Sequence, residues 1–215
     1  MMKKSGFTLV ELLVVMAILG LIMGAIYGLF QTSSRTYVVQ DHVVAMQQDA
    51  RFGLDYLGDH MRMAGYDPRG VGGGTFSFQL NATWAGNTVS CDGTNIAFTV
   101  DDDQDGAVNA NDAEQVAFRL QGGALQRYRN GVPGWETVIA GVDNAASSFT
   151  YWYADGTSSA ASGLPNDTDG ATNNDSEKIR EVQITLVMNP PQLYGQTLKA
   201  KSYTTLVKCR NMAIK

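Results

Sequence analysis

Apolar and polar positions divide the chain into three textures. From Leu12 to Phe30, nineteen consecutive residues carry no charged side chain. A helix rises about 1.5 Å per residue, so this run approaches the ~30 Å hydrocarbon core of a bilayer. Lys3 and Lys4 lie ahead of it and stay cytoplasmic by the positive-inside bias, which leaves the carboxyl-terminal bulk on the other side. After Phe30 the pattern turns amphipathic: Val43, Met46, Ala50, Leu54, Leu57, Met61 and Ala64 step by three or four residues, opposite Gln40, Asp41, Gln48, Asp49, Arg51, Asp55, Asp59 and Arg62. The spacing predicts one helix, or one gently interrupted helix, from about Phe7 to Gly65, stopped by Gly65-Tyr66-Asp67-Pro68.

Beyond Gly70 the texture is glycine-rich turns between short β-branched or aromatic runs. Strands are predicted at Asn95–Val100, Glu114–Leu120, Ala124–Arg129, Ser148–Tyr153, Ile179–Met188 and Thr197–Val207. Their alternation predicts an antiparallel sheet with one buried face, against which the helical stripe packs. Val71–Gly93 and Ala154–Asp175 read as long loops. The class is α+β, divided as a leader (1–6), an apolar helix (7–30), an amphipathic continuation (31–66) and a β-rich head (67–215).

Composition adds two constraints. With 16 basic and 21 acidic residues the net charge is −5, so there is no basic footprint for neutralising phosphates, and nucleic acid is not an expected partner of the isolated subunit. The two cysteines, Cys91 and Cys209, lack the CxxC spacing of a zinc site. In an exported chain they are expected to form one disulfide, the alternative being two separate buried thiols.

An ordinary secretory signal has a shorter apolar stretch followed by a small-residue cleavage site. Here the apolar run instead follows Lys4-Ser-Gly-Phe-Thr-Leu-Val-Glu11, and it opens on an ionisable group that is costly to bury in lipid without a partner. This segment resembles the cleavage motif of type IV pilins and pseudopilins. The resemblance implies that a membrane-embedded prepilin peptidase cuts between Gly6 and Phe7 and methylates Phe7, and that the apolar helix is retained. It also implies that Glu11 pairs with the freed amine of a neighbouring subunit during assembly; the alternative is a glutamate resting at the membrane interface. Gly20, Gly24 and Gly28 form two overlapping GxxxG patterns that suit close helix packing in a filament core. The helix-breaking proline common in pilin anchors is absent from this stretch, so local unwinding is not specified there.

The stretch from Met46 to Tyr66, with Arg51-Phe52, Leu54, Leu57 and Arg62-Met-Ala-Gly-Tyr66, is similar to the helix end of PilW-type minor pilins. The implied fold is the type IV pilin fold, a long amino-terminal helix whose first half spans the membrane, packed on an antiparallel β-sheet head. The implied partners are other pilins and minor pilins, prepilin peptidase, an inner-membrane assembly platform and a tip adhesin. The subunit would span the inner membrane once and then enter a periplasmic or extracellular filament.

One further motif carries chemistry. In Asp101-Asp-Asp-Gln-Asp-Gly-Ala-Val-Asn-Ala-Asn-Asp112, the residues Asp101, Asp103, Asp105, Ala107 (through its carbonyl), Asn109 and Asp112 fall at positions 1, 3, 5, 7, 9 and 12 of a calcium loop, with Gly106 at the turn. A terminal aspartate closes such a loop less readily than glutamate, and Glu114 is a substitute. Calcium in a structural role is the expected cofactor, magnesium fits less well, and the alternative is a solvated acidic hairpin. No GxSxG, HExxH or Walker pattern occurs, and Gly70-Val-Gly-Gly-Gly74 lacks the Gly-Lys-Ser/Thr of a phosphate loop. His42 and His60 both lie in the helix region, so an enzyme is not expected. Asn81-Ala-Thr83 and Asn166-Asp-Thr168 match the glycosylation triplet and carry little weight beside this leader. The leading reading is a minor pilin that primes or caps a type IV pilus. The alternatives are a J-type pseudopilin of a type II secretion system and a carbohydrate-binding adhesin head using Trp84, Trp135 and Trp152.

Overall fold

The computed structural model describes residues 6–70, 75–79, 82–84, 87–109, 113–128, 134–160, 178–194 and 198–213. One helix, α1 (Leu9–Arg62), runs without a break through all three glycines of the apolar stretch. Its last turn tightens, with the Met63 and Ala64 N–H groups donating to the His60 and Met61 carbonyls at 3.1 and 3.2 Å. Gly65 then turns left-handed (φ 72°) and donates its N–H to the Thr99 carbonyl at 3.1 Å. A Cβ there would run into the Met212 sulfur and lie 3.3 Å from the Phe76 carbonyl oxygen, so both backbone and space require glycine.

The chain forms two compact units, Met1–Val44 with Gln192–Thr197, and Ala45–Pro191 with Leu198–Lys215. In the first, every side chain from 6 to 38 is exposed to solvent, as an apolar helix awaiting lipid or partner helices must be. The Arg35 guanidinium lies 5.6 Å over the Tyr194 ring.

The second unit is the β-rich head. Its strands are β1 (Ala82–Trp84), β2 (Asn87–Val89), β3 (Asn95–Thr99), β4 (Gln115–Gln121), β5 (Ala124–Tyr128), β6 (Trp135–Ala140), β7 (Ser148–Tyr153), β8 (Ser158–Ala160), β9 (Ile179–Met188) and β10 (Lys201–Lys208). The single sheet expected from the sequence is corrected, among the described residues, to two four-stranded antiparallel sheets, β3-β4-β5-β6 and β10-β9-β7-β8, plus the ribbon β1-β2. Alternation along a strand reveals a buried face and not how many sheets share it. Gly122 and Gly123, at φ 64° and 73°, make the two-residue β4–β5 turn whose twist requires positive φ at both positions. The β5–β6 register slips between Leu125 and Gln126, leaving Val138 as the extra residue of a bulge.

Both sheets and the head portion of α1 contribute to one core. Met46, Ala50, Leu57, Met61 and Ala64 are buried in the same cluster as Phe98, Phe118, Leu125, Phe149, Ile184 and Leu186, so the predicted stripe is the packing face. Gly53 permits a close approach of α1 to β6, since a Cβ there would lie 2.7 Å from Ile139 Cδ1. The layout is the α+β arrangement of a long amino-terminal helix and an antiparallel β-head that defines the type IV pilin fold.

Candidate functional site

At the helix start, Thr8 is the N-cap and Glu11 the third residue of the first turn. The Glu11 N–H donates to Thr8 Oγ1 at 3.3 Å, while Glu11 Oε2 accepts from the Thr8 N–H and hydroxyl, each at 3.3 Å. This is a capping box, which satisfies two otherwise unpaired donors of the helix end. It gives Glu11 a local role that the sequence reading missed, although Thr8-x-x-Glu11 was there to be read. Gly20, Gly24 and Gly28 are exposed, and a Cβ added at any of them would meet nothing within 4 Å. The same four-residue step continues at Thr32 and Thr36, whose hydroxyls donate to the Gly28 and Thr32 carbonyls, both at 3.0 Å. The stripe of small side chains thus extends to Thr36.

The acidic loop joins β3 to β4. The Val100 N–H donates to the Glu114 carbonyl at 3.0 Å, which sets Asp101 and Glu114 side by side at the end of the ladder. Left-handed Gln104 (φ 64°) and Gly106 (φ 82°) fold the intervening chain back. Asp101, Asp103, Asp105 and Glu114 each offer a carboxylate oxygen, all within 4.8 Å of one another. Asp103 and Asp105 are exposed, whereas Asp101 and Glu114 are fully buried. Asp105 is held by the Ala107 N–H on Oδ1 and the Asn109 side-chain amide on Oδ2, both at 2.7 Å, and these bonds lower its pKa. The Asn109 N–H donates to Glu114 Oε2 at 2.6 Å. The structure therefore assembles the first three expected ligands with Glu114. Asn109 braces two of the carboxylates, and Asp112 lies outside the described residues, as do Asn81 and Asn166 of the glycosylation triplets.

Two protein families match the chain. The family described as the prokaryotic N-terminal methylation motif matches residues 1–27, the stretch that contains Gly6, Phe7 and Glu11. The family described as prepilin peptidase-dependent protein B matches residues 40–203, covering the helix end and nearly all of the head. The chain belongs to the prepilin peptidase-dependent protein B family. No curated protein is similar enough to match it. Together the two matches make it a type IV pilin-like prepilin and a pilin-like subunit, with an amino-terminal helix suited to membrane anchoring.

In this member of the family the two cysteines are unbonded, buried thiols. Burial pushes Cys91 up to about 12 against the bonds it makes with Ala97, and burial together with the charge of Cys91 also takes Cys209 to about 12. Cys209 thus feels Cys91 within the core that they share. The tryptophans are dispersed. Trp84 is buried 6.0 Å from the Tyr128 ring, Trp135 lies 4.1 Å beneath the Arg119 guanidinium, and Trp152 stands on β7 of the other sheet. His60 is half-buried between Tyr56 and Phe118, at ring distances of 4.4 and 5.5 Å.

Proposed function

We propose that the chain is a minor pilin that primes or caps a type IV pilus after prepilin peptidase cuts between Gly6 and Phe7. It performs no catalytic step of its own. The observation that carries this reading is the methylation motif at the head of an uninterrupted, wholly exposed apolar helix. Such a surface is stable only in lipid or against other apolar helices, and the small stripe from Gly20 to Thr36 allows close backbone approach. Methylated Phe7 then heads the mature chain, and Glu11 pairs with the amino terminus of a neighbouring subunit. The likeness of the helix end to PilW-type minor pilins supports the tip position. The partners are other pilins, the inner-membrane assembly platform and a tip adhesin, and the head ends in an extracellular filament.

Glu11 separates assembly from helix capping. Glu11→Gln keeps a side chain able to complete the capping box and removes the charge, whereas Thr8→Ala removes the cap and keeps the charge. Glu11→Gln is expected to be cleaved at Gly6–Phe7 at the normal rate and to fall about tenfold or more in sheared filament fractions, while Thr8→Ala assembles. Normal incorporation of Glu11→Gln would sink the pairing. Deleting the gene should abolish surface pili and leave type II secretion intact; the opposite pattern selects the J-type pseudopilin.

We also propose that Cys91 and Cys209 join in the oxidising compartment. Their shared core and the influence of Cys91 on Cys209 support this, and a bond closing a loop on the order of 100 residues contributes about 4–5 kcal/mol on the chain-entropy model. In native exported protein neither thiol should react with maleimide after denaturation without reductant. Labelling of both would overturn the bond.

A further inference from the structure

The acidic loop contains two buried carboxylates that the protein alone leaves unsatisfied. Asp101 is 0 % exposed and neither of its side-chain oxygens has a hydrogen-bond partner among the described residues. Glu114 is also 0 % exposed, and its Oε1 is equally unpartnered. Among the described residues no lysine or arginine forms an ion pair with either of them, or with Asp103 or Asp105. Removing an ionised carboxylate from water without a partner is strongly unfavourable, and four like charges gathered at one point add repulsion to that cost.

We infer that Asp101, Asp103, Asp105 and Glu114 bind one calcium ion. The donor set is entirely oxygen, with no histidine or cysteine, which excludes the preferred ligands of zinc. Ligand number separates calcium from magnesium: calcium accepts several carboxylates in a flexible shell of about six to eight oxygens, whereas magnesium keeps most of its waters and is usually held by about one or two carboxylates. Glu114 replaces Asp112 as the closing carboxylate. It lies immediately before β4, beside Asp101 at the end of the β3–β4 ladder, and brings the longer side chain that bidentate closure favours. Asn109 is a positioning residue that orients Asp105 and Glu114.

The ion would also brace the end of the helix. The Asp101 N–H donates to the Tyr66 carbonyl at 2.9 Å, and Thr99, two residues earlier, accepts from Gly65. Calcium at Asp101 therefore fixes the joint between α1 and β3, and full rigidity of the head depends on the cation.

The test is thermal unfolding of the full-length chain in detergent micelles, with calcium chloride or with a chelator. At calcium about a hundredfold above Kd, the wild type should melt about 5–10 °C higher than in chelator. Asp101→Asn should lose that shift and, in chelator, melt at or above the wild type, because the amide removes a buried unpaired charge. If Asp101→Asn does not fold, Asp103→Asn at an exposed position serves in its place. It should lower calcium affinity about tenfold or more and, in chelator, melt at or slightly above the wild type, because one of the four mutually repelling charges is gone. Equal melting temperatures of the wild type in calcium and chelator, or a full calcium shift retained by Asp101→Asn, would overturn the site. An equal shift with magnesium chloride alone would overturn the assignment to calcium.

Discussion

His60 shows how one side chain makes the head sensitive to pH. Its Nδ1 lies 2.8 Å from the Tyr56 carbonyl oxygen, which can only accept, so Nδ1 carries the hydrogen. Burial lowers its pKa from the ordinary 6.5; the Tyr56 carbonyl pulls upward, Arg127 on β5 pushes down and Asp59 on α1 pulls upward, with burial the largest influence. The fold thus favours the neutral ring, and as pH falls the unfolded chain takes up more protons than the folded one. The stabilising contribution is complete above 6.5 and is lost as pH falls through and below that value. At constant calcium, the melting temperature of the wild type should therefore drop more steeply between about pH 7 and pH 5 than that of His60→Phe. Parallel curves would show that the ring does not titrate differently on folding. The sequence placed His60 beside the apolar stripe; its stacking on Phe118, a strand residue remote in the chain, could not be read there.

At the scale of elements, what could be read depended on whether the signal was local. The helix declared itself through a charge-free run and a stripe of period three to four, and its end through Gly65, whose left-handed turn the structure confirms. Strands β3, β4, β5, β7, β9 and β10 lie close to their expected places because each carries a run of β-branched or aromatic residues. β1, β2 and β8 are three-residue strands inside expected loops, where pairing and not propensity makes the strand. β6 was missed because Trp135-Glu-Thr-Val-Ile-Ala140 lies at a sheet edge with a bulge at Val138, so its polar residues break the alternation. The acidic loop shows the same limit. Spacing brought forward Asp101, Asp103 and Asp105, but the depth of Asp101 and the closure through Glu114 follow from the β3–β4 ladder, a tertiary fact.

For the whole molecule, the two compact units answer to different surroundings. The exposed apolar helix is suited to lipid and to other helices, whereas the head closes its own core and presents an acidic chain to water. Both demands suit a pilin-like prepilin, and the function proposed above has it inserted, cut and drawn into a filament with its anchor retained. Everything in this account depends on the cut falling between Gly6 and Phe7, because only that position keeps the helix while freeing an amine beside Glu11. Intact-mass and amino-terminal analysis of the chain purified from cells tests it directly. The account predicts a mature chain that begins with N-methylated phenylalanine at Phe7 in the presence of prepilin peptidase and an uncut chain in its absence. A mature chain lacking the apolar helix, or an uncut chain in peptidase-competent cells, would contradict it.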